Sequence, residues 1–213
     1  IVPQGKMAVG APYFMGEGKL FYTGTTFEFS GRSPRYYLYD IATGETVELP
    51  FCDAAPMGSV GTDCTYGGGN GMKYIGGKLY FPHLVWGNAY LMRMDTVGNI
   101  EPVCTTPGSF TCFDIYENKA LMAAMRGTDL IEIWSLDIDT SEEKQLTGFN
   151  TRYMKEHSVV EPEHFTFTNS AGYELDGYVL KPVGYEPGKK YPGILEMHGG
   201  PKAAFGGIFH HEM

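Results

Sequence analysis

The sequence predicts a mostly β protein built from repeated antiparallel units, and three observations carry that prediction. Charged residues make up only 19% of the 213 positions, whereas 29 are Gly and 14% are aromatic. That balance suits short strands joined by tight turns better than long charged helices. A three-strand pattern recurs along the first 150 residues, and no helical periodicity separates its copies. With 43% hydrophobic residues the chain can bury a sizeable core, so disorder is not expected.

Each copy opens on a strand with Lys-Leu or its equivalent, continues into a second strand that closes on Asp, then turns into a third. Gly18-Lys19-Leu20-Phe21-Tyr22-Thr23 leads to Arg35-Tyr36-Tyr37-Leu38-Tyr39-Asp40, the turn Ala42-Thr43-Gly44-Glu45, and Thr46-Val47-Glu48-Leu49. Gly77-Lys78-Leu79-Tyr80-Phe81 leads to the strand 89–95 ending in Asp95, the turn Gly98-Asn99, and Ile100-Glu101-Pro102-Val103. Asn118-Lys119-Ala120-Leu121-Met122-Ala123 leads to the strand 131–137 ending in Asp137, then Lys144-Gln145-Leu146. Asp95 follows Asp40 by 55 residues and Asp137 follows Asp95 by 42, close to the roughly 40–50 residues of a four-stranded propeller blade. The longer interval places a loop insertion in Phe51 to Gly71, ending in Gly67-Gly68-Gly69-Asn70-Gly71; with no Gly-Lys-Ser/Thr behind it, this is a turn and not a phosphate loop. A sandwich would also give strands at this spacing, but the recurrence favours a partial β-propeller of about three blades over residues 1–150. Three blades do not close a ring, so open blade edges are expected to favour self-association.

Beyond Asn150 the pattern changes. Residues 151–163 are polar and mixed in charge, as in a linker or a short helix. Glu163-His164-Phe165-Thr166-Phe167-Thr168 alternates as a strand, Asn169-Ser170-Ala171-Gly172 turns, and residues 173–181 return as a second strand that Pro182 ends. Gly188-Lys189-Lys190-Tyr191-Pro192 reads as a surface turn. Gly193-Ile194-Leu195-Glu196-Met197 reads as a short apolar strand buried in a larger sheet.

His198-Gly199-Gly200-Pro201 follows that apolar run directly. A strand ending in His-Gly-Gly places backbone N–H groups where a developing oxyanion could sit, which is hydrolase chemistry. The bland alternative is a tight turn that Pro201 stops. No Gly-x-Ser-x-Gly occurs in the sequence, so no nucleophile is assigned.

Taken in order, Glu161-Pro162-Glu163, Gly172, Asp176-Gly177-Tyr178, Lys181-Pro182, Lys190-Tyr191-Pro192, His198-Gly199-Gly200-Pro201, Phe205-Gly206 and Phe209 resemble the linker and opening strands of the hydrolase domain in the prolyl oligopeptidase family of serine peptidases, closest to its acylaminoacyl-peptidase branch. The resemblance departs from the family at one hairpin, where Ala171-Gly172 stands in place of the frequent Asp-Gly. It implies residues 164–213 are the first strands of an α/β-hydrolase domain, after a linker at 151–163. It implies a peptidase acting on short peptides, with a Ser, Asp and His that this chain lacks, so that the chain is expected to be an inactive internal fragment. The Gly200 backbone N–H would be one oxyanion donor, Gly199 would leave the approach of the substrate carbonyl open, and His198 would shape the loop without serving as base. The alternative, of a different class, is a non-catalytic propeller-type binding or assembly module.

Sixteen basic against 25 acidic residues give a net charge of −9, which disfavours nucleic acid and anionic membranes as partners. No apolar run is long enough for a membrane span, Ile1-Val2-Pro3-Gln4-Gly5 is no signal peptide, and a start without Met is expected to be processed or truncated. Cys52, Cys64, Cys104 and Cys112 have no metal or disulfide spacing and are expected to be free, largely buried thiols in a cytoplasmic protein. No cofactor is expected. His210-His211-Glu212 is read as a helix start and not as metal ligands, because adjacent His residues rarely converge on one ion. His157, Glu161, Glu163 and His164 are read as solvated linker, and Trp86 and Trp134 as packing of blade faces.

Overall fold

The structure, a computed structural model, describes residues 7–26, 33–50, 58–64, 71–199 and 203–211. Strands β1 (Met7–Phe14), β2 (Lys19–Thr26), β3 (Arg35–Asp40) and β4 (Thr46–Glu48) form one antiparallel sheet in sequence order. Strands β5 (Lys73–Ile75), β6 (Lys78–Val85), β7 (Asn88–Met94) and β8 (Ile100–Cys104) form the second. Strands β9 (Ser109–Tyr116), β10 (Lys119–Met125), β11 (Glu132–Asp137) and β12 (Glu143–Gln145) form the third. The nine strands expected in this region are present, and each sheet adds a fourth ahead of them: β1, β5 and β9.

The recurring Asp has a local cause. Asp40 Oδ1 accepts the N–H groups of Ala42 and Thr43 at 2.9 and 3.0 Å. Asp95 Oδ1 takes those of Val97 and Asn99 at 3.0 and 2.9 Å, and Asp137 Oδ1 takes those of Asp139 and Thr140, both at 3.0 Å. Each carboxylate satisfies the turn that joins the third strand of its sheet to the fourth, an Asx turn that other side chains make poorly. The tight hairpin β5–β6 turns on Gly76 and Gly77 at φ 59° and 77°, the left-handed conformation that matches the twist of paired strands.

Successive sheets pack face to face. Phe21, Tyr36, Leu38, Leu79, Phe81 and Met94 fill the layer between the first and second, with Tyr36 edge-on to both Phe21 and Phe81. Leu91, Val103, Phe110, Phe113, Met122 and Leu136 fill the layer between the second and third. At roughly 1.5–3 kcal/mol for each large side chain fully buried, these two layers are the main favourable term of the fold. Trp134 packs against the second layer, as expected. Trp86 does not: it is 78% exposed at the β6–β7 turn, at φ 48°, because a two-residue turn leaves its side chain pointing away from the sheet. Cys104 is buried and Cys64 and Cys112 are half-buried, all three as free thiols; Cys52 lies outside the described residues.

The expected linker contains α1 (Thr151–Glu156), a six-residue helix with no buried residue. Strands β13 (Glu163–Thr168) and β14 (Glu174–Val179) then pair as the predicted hairpin, with Asn169 Oδ1 accepting the N–H groups of Ala171 and Tyr173 at its turn. The apolar run 193–197 is a correction. It forms no strand, and Ile194, Leu195 and Met197 are 96%, 84% and 83% exposed. A strand needs a neighbour for its N–H and C=O groups, and none of the described strands pairs with it.

Candidate functional site

The His198-Gly199 turn lies in an exposed stretch without regular secondary structure. His198 Nδ1 lies 3.0 Å from the Gly199 carbonyl oxygen, and nothing stands within 4 Å of where a Gly199 Cβ would be. Gly200 and Pro201 lie outside the described residues. What orients the turn is aromatic: the His198 ring stacks on Phe205 at 4.5 Å between centroids and 19° between planes, and Phe205 stacks in turn near His210 at 5.5 Å.

The segment 203–211 is seated on the insertion expected between the first and second sheets, of which residues 58–64 are described. The Gly61 N–H donates to the Ala204 carbonyl at 2.7 Å, and the Thr62 hydroxyl donates to that of Phe209 at 2.8 Å. Asp63 Oδ1 accepts the His211 N–H at 2.9 Å, and its Oδ2 faces His211 Nδ1 at 2.6 Å. His210 Nδ1 is within ion-pair reach of Asp63 at 3.5 Å. Burial pulls the Asp63 carboxyl upward, but the His211 backbone and ring, the Cys64 thiol and His210 outweigh it and hold the group far below the usual range. Burial and the adjacent Asp63 push the Cys64 thiol up.

Beneath these polar contacts, Ile208 is buried with Val60, Ala123, Met125 and Ile131, and Val60 N–H is held by the Ser109 hydroxyl at 3.1 Å. The backbones close tightly: a Cβ on Gly206 would stand 2.0 Å from the Gly87 carbonyl oxygen, and one on Gly87 would meet Phe205, Gly206 and the Tyr178 hydroxyl. The β6–β7 turn therefore abuts both the tail and the β13–β14 hairpin. His211 lies in a turn and both imidazoles face Asp63; Glu212, the third residue of the expected helix start, lies outside the described residues. Among the described residues no group of three or more His, Cys, Asp or Glu is arranged to hold a metal ion.

The polar cluster of the linker is dispersed. His157 stacks on Tyr153, Glu163 pairs with Lys181 at 2.5 Å, and His164 pairs across the hairpin with Asp176 at 2.6 Å. Two buried carboxylates that sequence reading missed are structural nodes. Glu132 accepts from the Thr147 hydroxyl at 2.5 Å and the N–H groups of Phe149 and Asn150 at 3.0 and 2.7 Å, fixing where the third sheet hands over to α1. Burial raises the Glu132 pKa, and these donors lower it further than burial raises it. Glu143 binds Arg126 and accepts from the Cys104 thiol at 3.1 Å, tying the second sheet to the third. Neither was visible as a motif, since a lone Glu in a β pattern reads as an exposed face.

With this geometry in hand, the chain can be set beside known proteins. No family model matches it. Over 81 residues, 38% of the chain, it is 36% identical to the uncharacterized peptidase YuxL of Bacillus subtilis, of which it spans 12%. Over 41 residues it is 46% identical to dipeptidyl peptidase 8 of human and mouse, spanning 5% of that protein. Among solved structures, an acylaminoacyl peptidase of Pyrococcus horikoshii superimposes over 92% of the chain with a TM-score of 0.69 and 26% identity, the chain covering 28% of it. A puromycin hydrolase matches over 87% of the chain and 27% of its own length with a TM-score of 0.55; at 17% identity that likeness is one of fold. No helix among the described residues is long and apolar enough to cross a membrane. These relatives and structural neighbours, of each of which the chain spans less than a third, are peptidases of the prolyl oligopeptidase family.

Proposed function

We propose that the chain is a segment of a cytoplasmic serine peptidase of this family, of the acylaminoacyl-peptidase type, that hydrolyses peptide bonds of short peptides. Residues 1–150 are then late propeller blades, 151–163 the linker, and 164–213 the opening of the α/β-hydrolase domain. The observation that carries the reading is the His198-Gly199-Gly200-Pro201 loop, placed behind an apolar run in a chain whose relatives are peptidases.

In the reaction a serine alkoxide attacks the substrate carbonyl, a histidine takes the serine proton and later returns it to the leaving amine, and the carbonyl oxygen becomes an oxyanion. The Gly200 N–H donates to that oxyanion, and Gly199, without a Cβ, leaves the approach open. The nucleophile, acid and base are supplied outside these 213 residues, so the chain is inactive by itself. The exposed apolar side chains Phe165, Phe167, Leu175 and Val179, all on one face of the hairpin, and Ile194, Leu195 and Met197 support this reading: they are what strands of a larger sheet would bury. The relatives lend no support to a stand-alone binding module.

Labelling with a fluorophosphonate probe tests the proposal. The full-length gene product should label and the 213-residue chain should not; labelling of the chain alone, or none of the full-length product, refutes it.

A further inference from the structure

We propose that the insertion at 58–64 is a clasp that sets the position of the His198-Gly199 turn, with Asp63 as its positioning residue. The consequence for turnover rests on the hydrolase reading above; the clasp does not. A loop that merely lengthened the connection between two sheets would lie on the surface with its polar groups in water. Residues 60–63 instead each commit a group to another element. Val60 is 1% exposed and its N–H is held by Ser109. Gly61, Thr62 and Asp63 in succession bind the Ala204 carbonyl, the Phe209 carbonyl and the His211 N–H.

Gly61 also sets the spacing. A Cβ there would stand 3.0 Å from the Phe205 ring and 3.2 Å from the Ala204 oxygen, so the glycine lets the loop lie against the aromatic that stacks on His198. The chain of contact runs from Gly61 directly, and from Asp63 through His210, to Phe205, and from Phe205 to His198. Among the described residues, the His198-Phe205 stack is the ring contact that holds the turn; apart from it, His198 bonds only to the adjacent carbonyl. The insertion thus adds polar contacts to the direct packing of Ile208 and Gly206 on the sheets in placing an element of the other half of the chain.

The test uses Asp63→Ala, Asp63→Asn and Gly61→Ala in the full-length gene product. Asn keeps an acceptor for the His211 N–H, whereas Ala keeps none. Hydrogen exchange of 203–211 and of the peptide ending at Gly199 should quicken about tenfold in Asp63→Ala and Gly61→Ala, and less in Asp63→Asn, with exchange in the sheets unchanged. Turnover of a short peptide ester should fall about 10–100-fold at near-constant KM, with partial rescue in Asp63→Asn, as for small misplacements of a reacting group. Unchanged exchange at 203–211 overturns the clasp. Faster exchange with unchanged kcat overturns its positioning role. Should the wild-type product neither label nor turn over, the hydrolase reading and the effect on turnover fall together, while the exchange data still decide the clasp.

Discussion

Replacing Arg126 by Met should destabilise the protein by about 3–5 kcal/mol, the usual cost of leaving one partner of a buried ion pair behind. The Arg126 and Glu143 side chains are only 9% and 8% exposed. Arg126 Nη2 and Nε reach the two Glu143 oxygens at 2.5 and 3.2 Å, a forked contact that Lys could not reproduce. The guanidinium also donates to the Met125 carbonyl and lies 5.8 Å from the Trp134 ring. In the variant, Glu143 keeps the weak Cys104 thiol donor and the Thr106 side chain. Burial raises the Glu143 pKa, and Arg126 together with the hydrogen bonds from Cys104 and Thr106 more than offsets this, so the carboxyl lies below its ordinary value in the wild type. That contribution is full above the unfolded pKa and is lost as pH falls through the folded one. Without Arg126, burial is opposed only by the Cys104 and Thr106 hydrogen bonds, so the Glu143 pKa rises from its wild-type position and the deficit of the variant should shrink on acidification. Urea unfolding followed by Trp fluorescence reports the midpoint, with Trp134 beside the substitution. The double variant Arg126→Met/Glu143→Leu should recover most of the loss. A cost below about 1 kcal/mol at neutral pH, or a deficit that does not narrow in acid, would refute the reasoning, which rests on the pair being desolvated.

Glu132→Ala should cost about 1–3 kcal/mol by orphaning the Phe149 and Asn150 N–H groups, and exchange at 147–156 should quicken before the sheets respond. Lys119 and the turn N–H groups hold Asp137 down to about 2, so its contribution is present above the unfolded carboxylate range and is lost as pH falls towards 2; Asp137→Ala should lower the urea midpoint near neutrality and erase that part of the acid dependence. Gly206→Ala should cost about 1–3 kcal/mol or displace the tail, seen as altered Trp86 fluorescence, because its Cβ would collide with the Gly87 carbonyl at 2.0 Å. In the full-length product, Gly200→Ala should lower kcat about 10²-fold or more if Gly200 supplies an oxyanion donor, and unchanged turnover would make it a turn residue only.

How far the fold was legible depended on the range of the interactions. The Asp at the end of each second expected strand was readable because an Asx turn closes within three or four residues, and the β13–β14 hairpin was readable for the same reason. The first strand of each sheet was not. In β9 the register shifts opposite Ala123 and Ala124, so Phe110 and Phe113 both face the core at a spacing of three and the period-two signal is broken. A similar shift between Gly10 and Tyr13 obscures β1, and β5 is three residues long. The apolar run before His198 carries the composition of a buried strand, but pairing belongs to the neighbour as much as to the strand.

The sequence by itself therefore determined the repeat, its turns, the hairpin and the His-Gly-Gly-Pro loop with the family likeness it carries, because short-range backbone chemistry leaves a local imprint. Only the tertiary structure decided that Asp63 meets His211 across 148 positions, that Gly87 and Gly206 touch, and that Glu143 is buried against Arg126. Those outcomes depend on which surfaces the packed sheets bring together, and no periodicity along the chain encodes them.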